Sequence, residues 1–380
     1  MRKKFKAFIM STVVGLAVIA APFVGMLHPA LGDESAYEPT ITASPSEGAT
    51  VSLLDPNSRI YKATANYQKG CVAYYYKKGE DLYYPQNLTI SWQSKNNAEY
   101  YNFEIGLKSD LSDATSYVTF DNSIELADLF VAKTYYYRIT ARGASQTVRS
   151  RIFNFKTAAL PRTITVPGTS NTRDIGGYFT LDGKYQVKQG MFYRGGAIGA
   201  DGIDTLLNVY GIKTDLDVRG DGYGSSPLGS SVNYVECLGP YYVNMARGLD
   251  MVWTNAEIRE AVLKEIKTCA VKENYPIYLH CSLGRDRTGT LVFLINSLLG
   301  VGEKDLFMDF EISFMSASGT ADQQKPDAMV SDGGAFDLLY DYMMNYSTGT
   351  LQENTEKFML DLGISANEIA SIREIMLEEI

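Results

Sequence analysis

Histidine is nearly missing from this chain: of the two in 380 residues, His28 falls close to the N-terminus and His280 stands alone in the remainder. One imidazole cannot supply a multi-histidine metal site, and it argues against a serine-histidine-aspartate relay. Cysteine is sparse as well. Cys71, Cys237, Cys269 and Cys281 are scattered, without the spacing of a zinc site or of a disulfide framework. No metal and no organic cofactor are expected. A surplus of positive charge is also absent, since 35 Lys and Arg against 44 Asp and Glu leave a net charge of −9. That balance disfavours nucleic acid or an anionic membrane surface as the main partner. Beyond residue 32 no apolar run is long enough to span a bilayer, so no stable insertion of the mature chain is expected.

The N-terminus does carry a leader pattern. Arg2, Lys3, Lys4 and Lys6 form a basic head, Ala7 to Leu27 is an apolar run broken by Gly15 and Pro22, and Ala30-Leu31-Gly32 closes it with small residues. Residues 1–32 read as an export signal, which places the mature chain outside the cytoplasm, secreted or at the cell surface. An uncleaved anchor is the alternative, because the run is just long enough to cross a membrane. No cysteine precedes residue 71, which argues against a lipid-anchored lipoprotein.

Beyond the leader the chain is too long for one ordinary domain, and its composition shifts near Ala158-Ala159-Leu160-Pro161. Residues 33–158 are rich in Tyr, Thr, Val and Asn. Short alternating runs at 88–92, 101–105 and 135–140 read as strands of an antiparallel sandwich. Residues 159–380 read as an α/β unit with a helical C-terminal tail. A helix is expected over 203–209, parallel strands over 212–217 and 232–236, and another helix from a Thr254/Glu257 capping box. That helix would carry Ile258, Val262, Ile266 and Cys269 on its buried stripe, making Cys269 a core residue; pairing of Cys71 and Cys237 stays open. The polar stretch 316–334 reads as a mobile loop over a site or as a plain surface insertion.

The most informative segment is His280-Cys281-Ser282-Leu283-Gly284-Arg285-Asp286-Arg287. Before it, Pro276 to Leu279 is a short apolar run; after it, Thr288 to Leu299 is apolar nearly all round, so the octet is a strand-to-helix turn. The first amides of a helix have no internal partner and its dipole favours negative charge, so the turn suits a phosphate. The same field favours the thiolate form of Cys281, while Arg287 can grip two oxygens with its planar fork. Thr288 is placed to hydrogen-bond the sulfur and improve it as a leaving group.

With Thr288-Gly289 the octet resembles the signature loop of the cysteine-dependent tyrosine phosphatases. Its Gly-Arg-Asp-Arg-Thr-Gly form is similar to the bacterial tyrosine/serine and phosphoinositide phosphatase branch, in which Lys is usual where Arg285 stands. Asn171-Thr172-Arg173-Asp174-Ile175-Gly176-Gly177, Phe192-Tyr193-Arg194-Gly195-Gly196 and the stretch from Gly211 to Arg219 are similar to further motifs of that branch, as are Leu299-Gly300-Val301, Asp305 to Ser313 and a last helix from Ser365. The resemblance implies a central, mostly parallel sheet with helices around it. It also implies hydrolysis of a phosphomonoester through a phosphocysteine, with Ser282, Leu283, Gly284, Arg285, Asp286 and Arg287 holding the phosphate. The substrate would be a phosphorylated protein, a phosphoinositide or an inositol phosphate.

The leaving oxygen needs a proton, and three aspartates compete to supply it. Asp286, inside the loop, is favoured by the resemblance; Asp250 lies 31 positions before Cys281, near the flexible Gly248; Asp217 ends a strand expected to open on the same crevice. His280 is expected to orient the loop. Arg173, Asp174, Arg194 and Arg219 serve either the site or ion pairs that pin it. Tyr223, Tyr241, Tyr242 and Trp253 are candidates by position for the wall of a phosphotyrosine slot. Outside the cytoplasm a reactive thiol is prone to oxidation, so the site is redox-sensitive or its habitat reducing.

Trp92, and Tyr135 to Ile139 after Leu129, resemble fibronectin type III and immunoglobulin-like modules, which implies a spacer or binding arm whose ligand is unknown. Tyr74-Tyr75-Tyr76-Lys77-Lys78 reads as a carbohydrate or protein contact, or as a half-buried strand. Two other classes stay open: a silent surface-binding protein, and a sulfur-transfer enzyme using the same thiol.

Overall fold

The computed structural model describes residues 41–380 other than 67, 95–97, 145, 160, 221, 238–244 and 323–324. The leader, and with it Tyr241 and Tyr242, lies outside the described residues. The described residues form two compact units, and their division does not follow the sequence: one holds residues 41–53 together with Gln86–Ala159, the other Leu54–Pro85 together with residues 161–380.

In the first unit, alternating side chains build two sheets. Leu88–Gln93 lies between Thr42–Ser44 and Ser123–Leu126. The other sheet runs in the order Ala49–Val51, Phe153–Thr157, Thr134–Arg142, Tyr100–Gly106, Thr115–Thr119, with Thr147–Arg149 beside Thr134–Arg142. Tyr135, Tyr137 and Ile139 are buried at every second position. Trp92 of one sheet stacks on Phe103 of the other with centroids 5.9 Å apart. One pair departs from the antiparallel expectation, since Ala49–Val51 runs parallel to Phe153–Thr157.

The expected boundary assigns residues 54–85 to the N-terminal module, whereas they pack with the C-terminal unit. Asp55 Oδ1 accepts the amides of Asn57 (2.9 Å) and Ser58 (3.1 Å), Pro56 opens the helix Pro56–Ala65, and its buried Tyr61 donates to Glu311 Oε2 at 3.2 Å. The turn Cys71–Tyr74 buries Cys71 and leaves Tyr74 exposed. The head of the tyrosine cluster is therefore a helical turn, not a strand.

Among the described residues, five strands form the central sheet of this unit, in the order Arg173–Asp174, Phe192–Gly195, Ile277–His280, Thr214–Asp217, Asn233–Glu236. The first is antiparallel to its neighbour and the other four are mutually parallel. Ile277, Tyr278 and Leu279 are fully buried, as a central strand covered on both faces requires. Gly195, His280 and Asp217 share one register, so three parallel strands end on the same edge. Cys281 to Arg285 occupy that edge and lead into the helix Asp286–Leu298, buried throughout from Thr288.

Local details differ from expectation. Residues 203–209 are helical as expected, though Thr205–Val209 is wound as a π-helix rather than an α-helix. The helix Ala256–Cys269 is capped not by Thr254 but by Asn255, whose Oδ1 accepts from Glu257 (2.9 Å) and Ile258 (3.1 Å); the Thr254 hydroxyl turns back to Met251. Cys269 is buried on its stripe. The tail helices Leu351–Leu362 and Ala366–Met376 each open with a capping box. No helix among the described residues is long and apolar enough to cross a membrane.

Candidate active site

Gly284 sets the shape of the loop. Its φ is +70°, and a Cβ there would lie 2.3 Å from the carbonyl of Gly195, so no other residue fits without displacing the neighbouring strand end. The loop carbonyls face outward and are held from behind. Ala197 N donates to Ser282 O (3.2 Å), Asn171 Nδ2 (2.9 Å) and Ser318 Oγ (2.8 Å) to Leu283 O, and Arg194 Nη2 to Gly284 O (2.7 Å). No acceptor among the described residues takes the amides of Ser282, Leu283 or Gly284. With the first turn of the helix, those amides leave a group of unclaimed donors at the strand-to-helix turn.

Cys281 is 3% exposed at the start of this cradle. Arg287 lies across it: Nη1 donates to the Arg219 carbonyl at 2.5 Å, and Nη2 lies 3.5 Å from Ser282 Oγ. His280 Nε2 meets Asp215 Oδ1 at 2.9 Å and Nδ1 lies 3.4 Å from Cys281 O, so the ring sits under the loop as an orienting group. The bond from Thr288 to the thiol is not formed. Thr288 Oγ1 is buried in the first helical turn and has no partner among the described residues.

The three acid candidates separate clearly. Asp286 is 4% exposed beside Cys281's cradle, and burial pushes its carboxyl above the usual range, more than the Arg285 ion pair pulls it back. Asp217 is also buried, but the Arg219 fork (2.9 and 2.6 Å), with the Arg219 amide and the His280 ring, overcomes burial and holds it below the usual range. It also accepts from Tyr234 Oη at 3.0 Å. It is a fixed anion rather than a proton donor. Asp250 is turned to Tyr342 Oη (3.3 Å) on an open groove with Trp253 and Tyr346, and Gly248 lies within the helix Met245–Asp250. The structure does not bring Asp250 into the cradle.

Arg285 also departs from expectation. Its guanidinium is fully buried and engaged by the protein: Nε and Nη2 grip Asp286 (2.9 and 3.1 Å), Nη2 and Nη1 meet Asp322 (2.6 and 3.1 Å), and Nη1 donates to Gly319 O (2.5 Å). Burial opposes its charge, but the two carboxylates outweigh that and keep it firmly protonated. Residues 318–322 are thus a support for the loop, neither a free lid nor a bare insertion.

Behind the cradle, Asp309 accepts from Arg173 Nε (2.9 Å) and from Arg194 Nη1, with all three side chains buried. Burial, then the like charge of Arg173, lower the Arg194 guanidinium to about 10, and the two arginines overcome burial to hold Asp309 below the usual range. Arg173 Nη1 also meets Asn171 Oδ1 (2.6 Å), extending the network to Leu283. Asp174 pairs with Arg162 (2.8 Å). The guanidinium of Arg219 lies 3.5 Å from the ring of the half-exposed Tyr223, at the rim. Sequence reasoning missed Asp309, Asp322 and Ser318. Asp309 leaves a trace, a single carboxylate within the otherwise apolar run Leu306 to Phe310.

A mostly parallel sheet thus places Cys281, the loop after it and Arg287 together at one edge. The comparison with known families is more specific. The tyrosine phosphatase family matches residues 164–378, more than half of the chain, and the protein belongs to that family. No curated protein matches it.

Proposed function

We propose that this chain is an exported, cysteine-dependent phosphatase that hydrolyses phosphomonoesters of protein side chains, on tyrosine alone or on tyrosine and serine, through a phosphocysteine. The observation that carries this reading is the loop Cys281 to Arg287, a thiol beside carbonyls held by neighbouring donors and amides that no acceptor among the described residues takes, with the Arg287 guanidinium tied to the Arg219 carbonyl. Cys281 Sγ attacks phosphorus and the bond to the leaving oxygen breaks, with the loop amides and Arg287 stabilising the equatorial oxygens. Asp286, kept protonated to higher pH by burial, gives its proton to the leaving oxygen. Water then attacks phosphorus, the P–S bond breaks, and Asp286 takes the proton back.

The pairing of Arg285 with Asp322 supports a substrate bearing one phosphate over a polyphosphorylated inositol, because that cation is already neutralised. The basic and apolar leader supports export. The stacking of Trp92 on Phe103 across two sheets supports a sandwich of the fibronectin type III or immunoglobulin kind, serving as spacer or binding arm.

The test is phosphate release by residues 33–380 and by Cys281→Ser, under reducing conditions with EDTA, from a phosphotyrosine peptide, a phosphoserine peptide and a phosphoinositide. Turnover of a peptide that the Ser variant loses supports the proposal; preference for the phosphoinositide would move the substrate class. No release from any of the three favours a binding protein, and persulfide formation with thiosulfate favours sulfur transfer.

A further inference from the structure

The support of the phosphate loop reaches back to a segment of chain that the family match does not include. Leu283 O accepts from Ser318 Oγ (2.8 Å), and Arg285 is held by Gly319 O (2.5 Å) and Asp322 (2.6 Å). Residues 315–320 are in turn clasped by residues 79–82, which lie outside the match. Asp81 Oδ1 accepts the Ala317 amide at 2.8 Å, the Gly79 amide donates to Thr320 Oγ1 at 2.8 Å, and Leu82 N donates to Met315 O at 2.7 Å. Two layers of hydrogen bonds therefore run from Asp81 to the cradle.

The clasp borders a cavity of about 400 Å³ whose lining includes Asp81, Tyr83, Tyr84, Ser170, Asn171 and Ser316. Asp81 is exposed, so it contributes little to the core. Its position is explained by what it holds: the amide of Ala317, next to the residue that bonds the loop carbonyl. A turn bridging a cavity and fixed by directional bonds transmits small displacements directly, and catalytic geometry is sensitive to shifts well under an ångström.

We propose that Asp81, in a segment that leaves the first unit at Leu53 and rejoins it at Gln86, is a positioning residue for the phosphate loop. The phosphatase then extends beyond residues 164–378 to include 54–85. The inference rests on reading Cys281 to Arg287 as the catalytic loop.

The test uses residues 33–380 carrying Asp81→Ala, Asp81→Asn or Thr320→Val, with Glu80→Ala as a neighbouring surface control. Two rates are read: turnover of p-nitrophenyl phosphate, and alkylation of Cys281 by iodoacetate. Loss of one positioning hydrogen bond predicts a fall in kcat of about fivefold for Asp81→Ala, with KM changed less than about twofold. Asp81→Asn keeps the acceptor oxygen and stays near wild type, Thr320→Val follows Asp81→Ala, and Glu80→Ala does nothing. Wild-type kcat in both Asp81→Ala and Thr320→Val would overturn the inference, as would equal losses in Asp81→Ala and Asp81→Asn. If the wild type does not turn over at all, the catalytic reading fails by itself. The inference is then read on alkylation, where an altered rate in Asp81→Ala with a wild-type rate in Asp81→Asn sustains it and equal rates in all proteins overturn it.

Discussion

Asp309→Asn is the most demanding perturbation of this architecture, because it removes one charge and almost no volume. Asp309 is buried and is the shared counter-ion of Arg173 and Arg194, which are themselves buried side by side. Without the carboxylate two guanidinium groups remain in a low-dielectric site facing one neutral amide. Breaking a buried pair from one side costs about 3–5 kcal/mol. The low Arg194 value of about 10 shows how strongly its surroundings already oppose the charge. Urea unfolding is the assay, and at an ordinary slope the loss should move the midpoint by roughly 1–2 M. The chain has two units and two tryptophans, Trp92 in one and Trp253 in the other. A Trp92→Phe background therefore lets Trp253 report the phosphatase unit alone. Activity should fall with stability, because Arg194 holds Gly284 O and Arg285 O. A midpoint within roughly 0.3 M of the parent, with unchanged kcat, would refute the claim that this triad pins the loop.

Other consequences can be read on the same protein. Asp217→Asn weakens the hold on Arg219, whose carbonyl receives Arg287, and should lower kcat about tenfold. Because Asp217 is not the acid, the loss should be equal on p-nitrophenyl phosphate and on a phosphotyrosine peptide; a loss confined to the poorer leaving group would make it the acid instead. Asp322→Asn removes a carboxylate that raises the Asp286 pKa and shares Arg285 with it. The alkaline limb of the kcat profile should therefore move to lower pH, and an unmoved limb would show that Asp286 does not report there. Glu265 is 1% exposed with Oε1 unpartnered, and burial pushes its carboxyl from 4.5 up to about 8. Its contribution to stability is fully present below pH 4.5 and is lost as pH rises through 8, which amounts to about 3–5 kcal/mol. Glu265→Gln should therefore gain on the parent in unfolding free energy between about pH 5 and 9, and a difference that stays constant with pH would contradict the assignment.

The candidate site residues were legible because their neighbours in sequence are their neighbours in space. Cys281, Asp286 and Arg287 sit on one strand-turn-helix connection, and apolar runs on both sides announce the connection. Strands at 214–217 and 233–236 were legible for a similar reason, each being a short run between turn residues. The hidden part depends on long-range pairing. Nothing local shows that Arg285 turns inward to Asp322, or that Asp309 lies behind Gly284. Likewise, residues 54–85 look like part of the N-terminal module because they lie between its strands; only the burial of Tyr61 and Cys71 in the C-terminal unit reassigns them. Asn255 rather than Thr254 caps its helix because the β-region backbone at 255 aims its side chain at the amides of 257 and 258, a choice of one residue that spacing alone does not resolve.

The most direct measurement is to look for the covalent intermediate. Residues 33–380 would be mixed with a phosphotyrosine peptide under reducing conditions, quenched in acid within the turnover time, digested, and analysed by mass spectrometry, with Asp286→Asn and Cys281→Ser alongside. Phosphate on the sulfur of Cys281 in the wild type, altered in amount by Asp286→Asn and absent from Cys281→Ser together with turnover, is the predicted result. Turnover without that adduct, or turnover that survives in Cys281→Ser, would contradict a phosphocysteine mechanism.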